Sequence, residues 1–211
     1  MTSAARLSLS IEEYTAELLQ LVQPDERTVA LRLVEALGRV VAAATSSRVS
    51  IPTFINSAMD GYAVRFTDVE GAPVFMRVVG DVPAGGPADP AAGAGECVRI
   101  MTGAPLPTFA DTVVPVEHTD GGADHVEVRL APARPGIHVR GVAEDIKVGE
   151  LLAAAGDRLT PALLGALAAA GHTHVSVRPR PVVLVAATGD ELVADGSPLA
   201  RGQLYESNSV V

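Results

Sequence analysis

Residues 56–64 run Asn56-Ser57-Ala58-Met59-Asp60-Gly61-Tyr62-Ala63-Val64, and their reading decides where the chain leaves helix for sheet. Asp-Gly ahead of an apolar triplet is a strong signal for a tight turn entering a strand. The glycine lets the backbone turn sharply, so the Asp60 carboxylate is presented from a fixed corner. Alone, the stretch is a structural turn; facing a cleft, the same corner is a site.

Upstream of this corner the pattern is helical. Ser10-Ile11-Glu12-Glu13 is a capping box, and Ile11, Tyr14, Leu18, Leu19 and Val22 recur at helical spacing until Pro24. A second helix is expected over 33–44, with Leu33, Val34, Leu37, Val40 and Val41 inward and Gly38 weakening its middle.

From Val49 onward, short apolar runs alternate with Gly and Pro, which is a β-rich unit. Strands are expected at 74–79, 96–101, 112–117 and 126–130. The segment 81–95, rich in Pro, Ala and Gly, reads as a mobile connector with almost no side chain to anchor it. Thr160-Pro161 places an N-cap before a proline at the first helical position, opening a helix over 161–170 that Gly171 stops. Strand alternation returns over 173–177, and Pro179 and Pro181 mark a boundary. Beyond it, the continuous apolar run 182–187 is expected to be a strand covered on both faces in a parallel α/β sheet. It ends in Thr188-Gly189-Asp190-Glu191, the place where such sheets bind ligands. The 33 residues after Arg178 are too few to complete such a sheet, so the chain reads as truncated there.

Composition narrows the function. The chain has 211 residues, 48% hydrophobic and 19% charged, with 3% aromatics and no Trp, so its core is aliphatic. Sixteen basic against 25 acidic side chains give a net charge of -9, which disfavours nucleic acid and anionic membrane. The single Cys97 excludes an internal disulfide and multi-cysteine metal sites, and suits a reducing cytoplasm. Residues 1–9 lack a signal-peptide pattern, and no apolar run reaches the roughly 20 residues that span a bilayer.

The acids that can carry chemistry are Asp60, Asp145, Asp190 and Glu191, each beside backbone that turns. Carboxylate oxygens suit hard cations such as Mg²⁺, which bridge acids to substrate phosphates. Thr102, in Arg99-Ile100-Met101-Thr102-Gly103-Ala104-Pro105, sits at a strand end where its hydroxyl and the Gly103 N–H are able to meet an oxyanion, or simply end the strand. His172 and His174 have the spacing of a strand-borne pair without a third ligand nearby. No Walker loop, dinucleotide-binding glycine motif or serine elbow is present.

Together, 56–63, 99–105, Glu144-Asp145-Ile146, Thr188-Gly189-Asp190-Glu191-Leu192 and Ser207-Asn208-Ser209 resemble, in order, the motifs of the MoeA-type molybdopterin molybdenumtransferase family, related to the C-terminal domain of gephyrin. The resemblance runs from about Ile11 to the last residue. It implies an α+β multidomain fold: a discontinuous helical domain (1–50 plus 142–178), an inserted β domain (51–141), and the incomplete start of a three-layer α/β domain (179–211).

It also implies an activity. Enzymes of this family take adenylylated molybdopterin and molybdate, release AMP with a divalent cation such as Mg²⁺, and leave molybdenum on the dithiolene. Carried onto this chain, the catalytic residues are Asp60, Thr102, Asp145 and Glu191, the metal ligands Asp60, Asp145 and Glu191. Ser57, Gly61, Gly103, Thr188, Gly189 and Asp190 would line the cofactor site. The expected assembly is a homodimer whose cleft lies between subunits, with the molybdopterin adenylyltransferase as a further partner. Ile55 replaces a usual acid and Ala143 a usual glycine, which bears on loop geometry. The chain alone is expected to lack the rest of the cleft; the alternative is an inactive dimerisation or interaction module.

Overall fold

A computed structural model describes residues 9–23 and 25–210; the proline expected to end the first helix, Pro24, and most of 1–9 lie outside the described residues. The chain forms two units, Thr28–Val177 and another made of the described residues up to Arg27 and from Arg178 on.

In the latter unit, helix α1 (Ile11–Leu21) starts as its capping box dictates: Glu13 N–H donates to Ser10 Oγ (3.1 Å) and Ser10 N–H to Glu13 Oε2 (2.8 Å). No residue of α1 is buried, and Ile11, Leu19, Leu21 and Val22 are all more than two-thirds exposed.

In Thr28–Val177 the elements follow as β1 (Val29–Arg32), β2 (Thr45–Ser46), β3 (Asn56–Ser57), β4 (Gly61–Val64), β5 (Val74–Val82), β6 (Glu96–Ile100), β7 (Thr112–Pro115), β8 (His125–Val128), β9 (Val139–Arg140), β10 (Leu151–Ala153), α2 (Pro161–Ala169) and β11 (His174–Val177). The helix expected over 33–44 is not formed. A single 3-10 turn covers Leu33–Glu35, and Gly38 then takes a φ of +72°, which a right-handed helix does not accommodate. Leu33 and Val41 are buried as expected, while Val34, Leu37 and Val40 are exposed. Leu33, Ala36 and Val41 share one aliphatic core with Ala153, Leu159, Leu167, Val175 and Val177. Strands β1 and β11 close it as an antiparallel pair, Val29 opposite Val177. Helix α2 is capped by Thr160, whose Oγ1 accepts from Leu163 N–H (3.2 Å), with Pro161 following as anticipated.

The site is positioned by a five-stranded sheet in the order β7-β4-β6-β5-β8. Its second strand, β4, has every residue buried, because the sheet carries a core on each face. Tyr62 and Val64 enter one core with Met76, Cys97 and Val114; Ala63 enters the other with Val82, Val98, Ile100 and Val113. Burial pushes the Cys97 thiol up to about 12, so this cysteine is packing material rather than a nucleophile. Tyr62 Oη donates to Gly122 O (2.8 Å), which satisfies its one polar atom.

The segment 81–95 is better anchored than its composition suggests. Arg65 donates to the Ala92 and Gly93 carbonyls while stacking on Phe109, 5.2 Å from the ring centre. Asp89 accepts from Thr108 N–H (2.8 Å) and Oγ1 (3.0 Å), and Ala92 is buried in the second core. The partners Arg65, Thr108 and Phe109 lie outside the segment, so its own composition could not announce them.

The expected buried strand at 182–187 is also corrected. No strand among the described residues pairs with it, and Val182 (99% exposed), Val183 and Leu184 lie open. A strand of that kind needs neighbours at both edges and a cover on both faces. The ladder that does form nearby is short and parallel, β12 (Leu192–Val193) with β13 (Leu204–Tyr205). Among the described residues no helix is long and apolar enough to cross a membrane.

Candidate functional site

Register, not proximity in sequence, builds the site. Antiparallel pairing sets Gly61 opposite Ile100, so the residue before β4 and the turn after β6 meet at one end of the sheet. Asp60 and Thr102 are these two. Thr102 N–H (2.7 Å) and Thr102 Oγ1 (2.9 Å) both donate to Asp60 Oδ1. Charge-assisted bonds of this kind favour the ionised acid. The Asp60 carboxyl is accordingly held below its ordinary range, first by the Thr102 N–H, then by its hydroxyl, with partial desolvation opposing and the Arg99 charge assisting. Among the described residues no donor reaches Asp60 Oδ2.

The frame beneath is made by Ser57, which is fully buried. Its Oγ donates to Met59 O (2.6 Å) and accepts from Met59 N–H (3.2 Å), fixing the approach to Asp60. Its backbone ties the facing turn: Ser57 N–H donates to Ala104 O (3.0 Å), and Gly103 N–H to Ser57 O (2.8 Å). The Gly103 N–H considered for an oxyanion is therefore spent inside the frame. The Thr102 hydroxyl proton is likewise committed to Asp60.

Gly61 has a different role from the turn glycine the sequence suggested. It does not adopt a positive φ; it is the first residue of β4, and a Cβ there would sit 2.0 Å from Val114 O. Glycine is required by the close approach of β7. A small cavity of about 190 Å³ opens beside it, lined by Asp60, Gly61, Tyr62, Arg99, Met101 and Val116 among others.

The other expected acids are placed separately. Asp145 is exposed, its N–H donating to Ile51 O (2.9 Å), and it does not line the Asp60 cavity. Just before it, Ala143 has a φ of 61°, the left-handed region that favours glycine. Relief of about 1–2 kcal/mol of strain against the ~0.5–1 kcal/mol entropic cost of glycine predicts that Ala143→Gly stabilises the fold slightly. A raised urea midpoint of unfolding is the expected result, and an unchanged or lowered one contradicts it. Thr188, Gly189, Asp190 and Glu191 belong to the other unit. There the Glu191 carboxylate folds over Gly189, where a Cβ would come within 2.5 Å of Oε2. His172 lies outside β11 and pairs through Nε2 with Ser46 O (2.9 Å), while His174 Nδ1 meets Thr173 Oγ1 (3.0 Å).

Among the described residues no group of three or more His, Cys, Asp or Glu side chains is gathered to hold a metal ion. The donor chemistry of Asp60 still suits a hard cation that takes one carboxylate oxygen and completes its shell with water and substrate oxygens, as Mg²⁺ commonly does.

Residues 9–171 match the family described as the MoeA N-terminal region (domain I and II). Over 209 residues the chain is 43% identical to molybdopterin molybdenumtransferase 2 of Mycobacterium tuberculosis, covering 96% of this chain and 50% of that protein. The molybdopterin molybdenumtransferase of Haemophilus influenzae is 35% identical, with 95% and 49% covered. A crystal structure of a molybdopterin biosynthesis MoeA protein from Pyrococcus horikoshii superposes with a TM-score of 0.82 at 32% identity, covering 94% of this chain and 54% of that one. The chain thus spans about half the length of the relatives it matches.

Proposed function

Because this chain belongs to the MoeA family, we propose that it supplies one side of the site at which molybdenum is inserted into adenylylated molybdopterin, with release of AMP, in molybdenum cofactor biosynthesis. The observation that carries this reading is the double donation from Thr102 onto one oxygen of Asp60 at the mouth of a cavity. It keeps Asp60 ionised, fixes its orientation and leaves its second oxygen for a ligand. Such a preorganised carboxylate is suited to holding a hard cation, whose charge in turn offsets that of a phosphoanhydride as it is broken.

A bound divalent cation supplies charge neutralisation and polarisation of phosphate oxygens. The part of this chain is to orient. Asp60 fixes one ligand oxygen, Asp145 and Glu191 add acidic oxygens for metal and water, and Thr102 holds Asp60. Ser57, Gly61 and Gly103 shape the cavity wall through backbone geometry, with Thr188, Gly189 and Asp190 contributing to the cofactor side. The assembly is a homodimer whose cleft combines residues of two subunits.

A second reading, a dimerisation or interaction module without activity of its own, is favoured by the apolar surface this chain exposes. Val34 and Leu37 are exposed where they line a groove with Leu33, Leu164 and Ala168, and the apolar face of α1 is open. The two readings separate in one assay. Adenylylated molybdopterin, molybdate and Mg²⁺ are incubated with this chain and with a protein extended to the length of its relatives, and AMP is measured by chromatography. AMP release by the extended protein supports the insertion role; silence from both, with the chain self-associating, favours the module.

A further inference from the structure

Arg99 stands beside the Asp60 carboxylate and its charge helps hold that acid ionised. Among the described residues Arg27, Arg65, Arg77 and Arg129 are each engaged by a carboxylate, and Arg99 is in no such pair. Asp81 stands opposite it on the parallel neighbour β5, but the two do not form an ion pair. Its place in the fold is specific. Arg99 is the one exposed residue of β6, a strand otherwise buried or half-buried, and it lies opposite the buried Tyr62. It lines the Asp60 cavity on one side and, on the other, a second cavity of about 300 Å³ with Val78, Gly80, Asp81 and Ala123.

We infer that Arg99 is the anion-binding residue of the Asp60 cavity and takes a single tetrahedral oxyanion, a phosphoryl group or molybdate, from the substrate. Three observations converge. A guanidinium presents a planar fork of donors matched to two oxygens of such an anion, and here that fork is not consumed by the protein. The cavity of about 190 Å³ is smaller than the roughly 300–1,000 Å³ of sites for drug-sized ligands, so it fits one oxyanion rather than a whole nucleotide. With a net charge of -9, the chain as a whole repels anions, so binding must rely on a local cation beside the site. The inference rests on the molybdenum-insertion reading for the source of the anion, and on geometry for the residue.

The test needs no turnover. Inorganic phosphate and molybdate are titrated separately into the ¹⁵N-labelled chain, and amide shifts are followed at Gly61, Ile100 and Met101. Saturable shifts there are expected for at least one anion, and which of them binds identifies the source. Arg99→Gln should weaken binding by about tenfold or more. Arg99→Lys, which keeps the charge but loses the fork, should retain part of it and guards against a folding defect in the glutamine variant. Arg134→Gln, altering an exposed arginine outside both cavities, should bind as the parent does. Absence of saturable shifts, equal affinity in Arg99→Gln, or an equal loss in Arg134→Gln overturns the assignment. AMP release by the extended protein is scored apart from this. Its failure with anion binding intact removes the insertion reading alone, and its success without Arg99-dependent binding removes the Arg99 assignment alone.

Discussion

Gly61→Ala is expected to lower stability by about 3 kcal/mol or more, because it forces a side chain where two backbones already touch. The added Cβ would lie 2.0 Å from Val114 O and 2.9 Å from Pro115 Cα. Both are main-chain atoms of β7, so no rotamer change relieves the clash. Relief requires β4 and β7 to separate, which breaks a ladder running from Gly61–Pro115 to Val64–Thr112 and opens both cores. Gly103→Ala is the control. Its φ is +79° but its Cβ would meet open space, so only the left-handed strain of about 1–2 kcal/mol applies. Urea denaturation of the two variants should show a much larger loss of midpoint for Gly61→Ala; equal losses would place the requirement in backbone conformation rather than in close approach.

The largest effect on activity is expected from Asp60→Asn in a protein extended to the length of its relatives: a fall in AMP release of roughly 100-fold or more, consistent with the loss of one preorganised charge at a reacting centre. Asparagine keeps the oxygen that accepts from Thr102 N–H and Oγ1, so the corner keeps its shape. Stability should therefore fall only slightly, by the extra strength that the charge lends to these two bonds. Activity retained with the corner intact would mean that the Asp60 charge is not used.

The same contact sets a pH dependence. A carboxyl whose folded-state value is depressed contributes stability that is present above its unfolded value of about 3.9 and is lost as pH falls through the folded value. Asp60 is of this kind. Thr102→Val deletes the hydroxyl donor but leaves the stronger N–H donor, so the Asp60 titration followed by carboxyl NMR should move upward only part of the way to its ordinary value.

Local signals proved sound wherever the structure depends on neighbours in sequence. Ser10 with Glu13, and Thr160 with Pro161, begin helices as read, since a cap satisfies backbone groups within a few residues of itself. The expected sheet strands are found at Val74–Val82, Glu96–Ile100, Thr112–Pro115 and His125–Val128, because alternation reports a strand between two faces. Patterns that demand distant partners misled. The apolar run 182–187 has the composition of a covered strand without a pairing strand among the described residues, whereas 33–44 fails for a local reason, the left-handed Gly38 that interrupts its helical spacing.

The site divides along the same line. Sequence by itself determined the family, the corner at Asp60 and the strand end at Thr102, because motif order and turn chemistry are written in consecutive residues. Only the tertiary structure decided that Thr102 serves Asp60, that Gly61 is needed for the approach of β7, and that Arg99 lines the cavity beside them. Asp60 and Thr102 are 42 residues apart, and what joins them is the register of β4 on β6, a property of paired strands that no single segment contains.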